Sequence, residues 1–428
     1  MSDYPLRAGP AVLLRQLQRL LALALLVLPG AGCAAAPATD TEETARAIHA
    51  RVLTLDSHVD IAREYMLKPE FDPGMTTAMK VDLEKMEQGG LDAAIFVVYV
   101  EQGPRTPEGY AAAQTAAGIK FHALRKMAEV YRDRIAIAHR PGDVGRIAES
   151  GRKVAIIGIE NGFIIAKDLD LLDHYYRLGA RYMGLTHSGH NDICDSSSAL
   201  TRLGDKPSEH HGVSPFGREV IARMNRLGMM VDVSHSSEQC MRHAIELSRA
   251  PVIASHSGVR AMADSGRNLT DEQMTTLARS GGVLQLVAYT GFIKPDPARD
   301  KAFTELEEQV RLEYGAAKFS YKLHEHTVSY QSGVKKINRD YPLATVSDFI
   351  DQLVYAVKLM GIDHVGIGSD FDGGGELRDW RDASETFNIT RELVVRGFNE
   401  DEIAKIWGKN LLRVWQETEK VSAQLFVQ

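Results

Sequence analysis

The pattern that most restricts this chain is an alternation: a short apolar run of strand character, then an amphipathic stretch of helical character. Such runs cover Val52–Asp56, Ala93–Val100, Val154–Ile159 and Arg181–Thr186, then Met229–Ser234, Val252–Ser255, Gly282–Ala288 and His364–Gly368. Most are continuously apolar, as expected of parallel strands covered on both faces. Helix signals fill the gaps. Ser214-Pro215 starts one helix with proline in its first turn, and Thr270–Gln273 forms a capping box for another. Helical apolar spacing runs from Ser347 to Met360 and stops at Gly361. Eight strands alternating with helices predict an α/β chain folded as a (β/α)8 TIM barrel. A doubly wound open sheet is the structural rival. Residues 294–343 are charged and aromatic with no strand signal, and predict a helical insertion after the seventh strand, a lid or a subunit contact.

A length of 428 residues suits one barrel with insertions. The net charge of -7 and the absence of a basic run argue against nucleic acid as a partner. Cys194 and Cys240 could pair, but three cysteines make no disulfide framework and the expectation is two separate thiols. At the N-terminus Arg7, Arg15 and Arg19 precede the apolar run Leu20–Leu28, and small residues follow. That order predicts an export signal over residues 1–33. Cys33 after Gly-Ala-Gly resembles a bacterial lipoprotein site, with Gly30 where Leu is usual; ordinary cleavage after Ala36 is the rival. The expected location is periplasmic, or membrane-anchored through a lipid on Cys33. Residues 34–44 read as a tether, and 45–428 as a single barrel domain.

The chemistry lies in what ends the strands. The first run leads into Asp56-Ser57-His58-Val59-Asp60. The others end at Glu160, His187, His235, His256 and Asp370. The C-terminal ends of barrel strands converge on one mouth, where catalytic groups collect. One histidine beside a strand is more often structural, and one aspartate after a strand is often a helix cap. A whole set of metal-competent or acid–base groups at these positions is not explained that way. Residues two apart in an extended chain point to the same face, so His58 and Asp60 can offer nitrogen and oxygen to one cation. His235 and His256 lie one βα unit apart, and Glu160 has two oxygens with which to bridge two ions. Imidazole plus carboxylate without thiolate suits Zn²⁺ and tolerates Mn²⁺ or Co²⁺.

Taken in order, these pieces resemble the membrane (renal) dipeptidase family of amidohydrolase-like enzymes. They are DSHVD at 56–60, GIENG around Glu160, LTHSGHNDICDSS around His187, VDVSHSS around His235 and PVIASHS around His256. GRNLTDEQM with Arg267, HVGIGSDFDGG with Asp370 and the closing GKNLLRVW follow. The first motif departs modestly, with Ser57 and Val59 where relatives often carry Gly and Asn. The resemblance implies a zinc-dependent dipeptidase with two Zn²⁺ ions per subunit. His58 and Asp60 would bind one ion and His235 and His256 the other, with Glu160 bridging. His187 would polarise the substrate carbonyl, Arg267 would hold the substrate carboxylate, and Asp370 would be the acid–base group beside a bridging hydroxide. Small dipeptides, including L-Xaa-D-Xaa, would be substrates, and a homodimer the expected assembly. Other binuclear amide or ester hydrolases (a lactonase or an N-acyl amino acid hydrolase) and a non-catalytic metal- or peptide-binding lipoprotein are the alternatives. His190, Glu209, His210 and His211 receive no assigned role; for His190 and Asn191, contact with substrate and a solvated loop position are equal alternatives.

Overall fold

Parallel pairing runs through all the strands in the order β1-β2-β4-β5-β6-β7-β8-β9. The strands are β1 (Leu55–Asp60), β2 (Ala93–Tyr99), β3 (Ile135–Ile137), β4 (Lys153–Glu160) and β5 (Ala180–Gly184). Next come β6 (Met230–Asp232), β7 (Ile253–Ser257), β8 (Val283–Val287) and β9 (Val365–Gly368). The computed structural model describes residues 38–427, apart from 317–318, 320–323 and 325–326. The export signal, Cys33 and the alternative cleavage point at Ala36 lie outside the described residues. Backbone bonds after β9 close the ring onto β1. Asp60 N–H donates to the Phe371 carbonyl at 2.8 Å, and Asp370 N–H donates to the His58 carbonyl at 3.0 Å. The result is the expected (β/α)8 barrel. The short β3 pairs only with β4, beside the barrel path, and has no counterpart in the sequence pattern.

Strand alternation sorts the core into two layers. Ala94, Phe96, Val98, Ala155, Ile157 and Ile159 pack outward against the helices. Leu55, Ile95, Val97, Val154, Ile156, Met230, Ile253 and Val283 form a second cluster with Leu411, Val414 and Trp415 of the last helix, Asn410–Val427. That helix plugs the N-terminal end of the barrel. Each fully buried aliphatic side chain of this kind contributes about 1.5–3 kcal/mol of transfer free energy.

Two strands begin or end differently from the apolar pattern. β1 runs on to Asp60, and β7 runs through His256 to Ser257. Their polar ends are buried rather than solvated, so hydrophobicity does not mark them. Both strands also carry one extra residue against their neighbours, between Asp56 and Val59 and between Ala254 and Ser257. Such bulges re-aim side chains, and each one sits at a histidine of the pocket described below.

The helices start where their caps lie. Ser214 caps Pro215–Leu227, and Thr270 with Gln273 forms the capping box of Asp271–Arg279. Val346–Met360 stops at Gly361. After the seventh barrel strand come Pro297–Glu313 and Val328–Asp340, which share a small core of Leu306, Val310, Tyr330 and Ile337. A helix, Ala38–His49, occupies the later part of the segment expected to be a tether.

One expectation is corrected. Cys194 and Cys240 are joined in a disulfide, with Cα atoms 6.0 Å apart. The loop after β5 folds back onto the helix Glu238–Leu247, where Ser237 N–H donates to the Asp195 carbonyl at 2.9 Å. A separation of 46 residues in sequence conceals that approach.

Candidate active site

Eight side chains from six strand ends and one loop meet at the C-terminal mouth of the barrel. Glu160, at the end of β4, sits at the centre. Its Oε1 lies 3.0 Å from His235 Nε2 and 3.3 Å from His256 Nε2. Its Oε2 lies 3.6 Å from His58 Nε2. His58 Nε2 is also 3.8 Å from Asp60 Oδ2 and 4.0 Å from Asp370 Oδ1. His187 stands at the edge, with Nε2 3.9 Å from Glu160 Oε1 and its ring 4.6 Å from that of Tyr99. Arg267 comes from the loop after β7. It is held by the His256 carbonyl at 3.0 Å and by Ser257 Oγ at 3.5 Å, while its buried Nε has no hydrogen-bond partner.

The backbone is bent to make this pocket. His235 (φ 67°) and Asp370 (φ 60°) both lie in the left-handed region, which costs non-glycine residues of order 1 kcal/mol or more and concentrates at functional sites. Gly373 makes room: a Cβ there would sit 2.3 Å from both Asp370 Oδ1 and Asp60 Oδ2.

Burial and crowded charge set the protonation states. Burial alone would raise Glu160, but His58, His187, His235 and His256 overrule it and hold the carboxylate well below its ordinary range. Burial drives His235 and His256 well below the ordinary histidine value, helped by Arg267 and His58 respectively, so both rings are neutral and able to ligate. For His58, burial pulls downward, but Glu160, Asp370 and Asp60 win and raise it to about 9. Asp370 is pushed up to about 8, first by burial, then by Asp60 and Glu160 against His58.

These features test the fit of a metal. His58 Nε2 is fully buried without a hydrogen-bond partner and faces three carboxylates. Two neutral imidazole Nε2 atoms lie only 2.9 Å apart beside a carboxylate oxygen. Such an assembly is costly unless a cation takes up the lone pairs. Two ligand groups result: His58, Asp60 and Glu160, and Glu160, His235 and His256. His58, His256 and Asp370 form a third possible group.

Several supporting residues carry no signal in the sequence pattern. Tyr182 OH lies 2.9 Å from His58 Nδ1 and donates to the Ser57 carbonyl at 3.3 Å. Its ring fills the barrel against Gly158, where a Cβ would meet it at 2.5 Å. In sequence Tyr182 is indistinguishable from an ordinary core aromatic. Asp56 accepts from His58 N–H at 3.1 Å and from Ser369 N–H at 2.8 Å, which ties β1 to β9 under the site. The residues without an assigned role brace the loop. His190 accepts from Ser196 N–H and contacts the Lys206 carbonyl, and Asn191 Nδ2 donates to the Leu185 carbonyl. Asp195 gathers the N–H groups of Glu209, His210 and Gly212. His211 adds a left-handed turn.

A closed parallel barrel with buried, metal-competent histidines and carboxylates at its mouth defines a metal-dependent hydrolase of the amidohydrolase type. The model of the membrane dipeptidase family, peptidase family M19, matches residues 42–427, and the chain belongs to that family. It is 29% identical over 366 residues to dipeptidase tcpJ of Claviceps purpurea, covering 84% of this chain and 74% of that one. It is 31% identical to the probable dipeptidase PvdM from Pseudomonas aeruginosa, with a TM-score of 0.79 over 90% of this chain and 100% of that one. The fold is shared as well with a metallo peptidase from Rhodobacter sphaeroides, liganded with a phosphinate mimic of the dipeptide L-Ala-D-Ala. That protein is 22% identical, with a TM-score of 0.67 over 86% of this chain and 99% of that one. The chain is thus a metal-dependent dipeptidase, a hydrolase of peptide bonds.

Proposed function

We propose that this dipeptidase works with two zinc ions, one held by His58, Asp60 and Glu160 and the other by Glu160, His235 and His256. The observation that carries the proposal is the division of Glu160. One of its oxygens faces two histidines, and the other faces the histidine of the opposite group. Bound there, the ions would supply Lewis acidity, lowering the pKa of a water and polarising the scissile carbonyl.

The protein's own groups do the rest. Asp370 is 14% exposed at its side chain and its Oδ1 lies 4.0 Å from His58 Nε2, so it stands where it can take a proton from the attacking water and pass it to the leaving amine. His187, at the rim, donates to the carbonyl oxygen as charge develops there. Arg267 is held down to about 10 by burial yet stays charged, and receives the substrate's free carboxylate. A buried cation at that place selects small substrates with a free C-terminus over proteins.

The same reading puts the enzyme outside the cytoplasm, exported by residues 1–33 and either lipidated at Cys33 or cleaved after Ala36, as a homodimer. The Cys194–Cys240 disulfide supports an oxidising compartment. Metal analysis of the mature protein, with a hydrolysis screen of L-Ala-L-Ala, L-Ala-D-Ala, N-acetyl-alanine and a lactone, is the test. Two zinc per chain and turnover of both dipeptides but not of the other two is the expected result. Full dipeptide turnover after complete chelation would refute the metal assignment, and preference for the lactone or the N-acyl substrate would replace the substrate assignment.

A further inference from the structure

One buried carboxylate lies beneath the pocket and takes no part in the reaction proposed above. Asp232 ends β6 and is 1% exposed. Its Oδ1 accepts backbone N–H groups of Ser234 at 3.0 Å and Ser255 at 2.9 Å. Its Oδ2 accepts the hydroxyl of Ser255 at 2.7 Å. Three donors converge on it, so it acts as an acceptor throughout. Ser255 Oγ also lies 2.9 Å from Nδ1 of His256. A hydroxyl has one hydrogen, and that of Ser255 is committed to Asp232. The imidazole must therefore be the donor: His256 carries its proton on Nδ1 and presents a lone pair at Nε2. That Nε2 is the atom beside Glu160 Oε1 and His235 Nε2.

We infer that Asp232 is a positioning residue which, acting through Ser255, fixes the tautomer of His256 and so makes its Nε2 a metal ligand. The inference rests on the assignment of Glu160, His235 and His256 to an ion. His58 differs in its support. Its Nδ1 faces the Tyr182 hydroxyl, which donates onward to a neutral backbone carbonyl. Orientation of a ligating imidazole by a partner on its other nitrogen is a general device. Here the device has one link more than usual, and that link makes it testable.

Asp232→Asn is nearly isosteric but reverses the chain of hydrogen bonds. The amide oxygen stays with the two backbone donors, so the NH2 faces Ser255. Ser255 then accepts from the amide and donates to His256 Nδ1, and the ring proton moves to Nε2, where it blocks ligation. Ser255→Ala only removes the link and leaves the tautomer unconstrained. Zinc affinity measured by chelator competition should fall about 100-fold for one ion in D232N and about 10-fold in S255A. The double variant should recover to the S255A level, because no hydroxyl remains to transmit the reversal. A purely structural role predicts the opposite order, with the double variant the worst. Nitrogen-15 histidine spectra of the metal-free protein read the protonated nitrogen of His256 directly: Nδ1 in the wild type, Nε2 in D232N.

Wild-type affinity in D232N, a double variant weaker than D232N, or a wild-type His256 protonated on Nε2 would each overturn the inference. The wild-type spectrum and S255A decide the matter even if D232N fails to fold. His256→Ala separates the two levels. If it leaves zinc content unchanged, the metal assignment is wrong; if it removes zinc while D232N does not, only the role of Asp232 is wrong.

Discussion

The two ends of the barrel are made from the same strands and are built on opposite principles. At the N-terminal end Leu55, Val154, Ile156, Met230 and Ile253 close on Trp415, apolar against apolar, with every residue at or below 2% exposure. At the C-terminal end the same strands deliver His58, Asp60, Glu160 and His256, equally well buried and mostly ionisable. β1 changes character within four residues, from Leu55 to His58. One end lowers the free energy of the fold. The other raises it through desolvated charge, two left-handed non-glycine residues and an orphaned imidazole nitrogen, and recovers the cost when a cation binds. The apolar end makes the polar end possible, since a pocket this crowded persists only in a frame that cannot relax around it.

The contrast can be broken experimentally. The largest effect is expected at the mouth. Asp370→Asn should lower kcat by about 10²–10⁴-fold with metal content and melting temperature nearly unchanged. An unaltered kcat with L-Ala-L-Ala would take Asp370 out of the reaction. At the other end Ile156→Ala should cost about 2–5 kcal/mol of stability in urea unfolding and leave kcat/KM of the folded fraction intact. A drop in kcat/KM comparable to that of Asp370→Asn would mean that the two ends are not separable.

A smaller effect appears with pH in the metal-free protein. Asp370, at about 8 when folded, favours folding while protonated. Its contribution is complete below about pH 4, the unfolded value, and is lost as the pH rises through about 8. His58, raised to about 9, acts in the same direction, being complete below about 6.5 and lost as the pH rises through 9. His235 and His256, held low, act in the opposite direction, but only up to about pH 6.5, their unfolded value. The metal-free protein should therefore be less stable at pH 9 than at pH 7. Asp370→Asn should flatten the part of that slope between pH 4 and 8. A metal-free protein that gains stability between pH 7 and 9 would contradict the electrostatic account of the mouth.

Much of this is legible in the sequence alone. Continuous apolar runs such as Val154–Ile159 mark barrel strands because both of their faces are covered. Caps such as Ser214 and Thr270 mark helix starts because the orphan N–H groups need partners. His58, Asp60, Glu160, His187, His235, His256 and Asp370 stood out because ionisable groups rarely follow apolar runs. Tyr182, Asp232 and Ser255 did not. Each looks ordinary in its own strand, and its partner lies on another. What hydrophobicity does not show is that β1 and β7 continue as strands through these polar residues, because burial there is set by the barrel.

Local sequence thus determined the repeating strand-and-helix units and the kinds of side chain each strand would carry to the mouth. Periodicity, caps and composition act over a few residues and need no distant partner. The three-dimensional closure decided everything that depends on meeting across the chain. That includes which oxygen of Glu160 faces which histidine, the bulges that aim His58 and His256, the pairing of Cys194 with Cys240, and the proton position on His256. Those depend on distances of a few ångströms between residues tens to hundreds of positions apart, and only the closed barrel sets them.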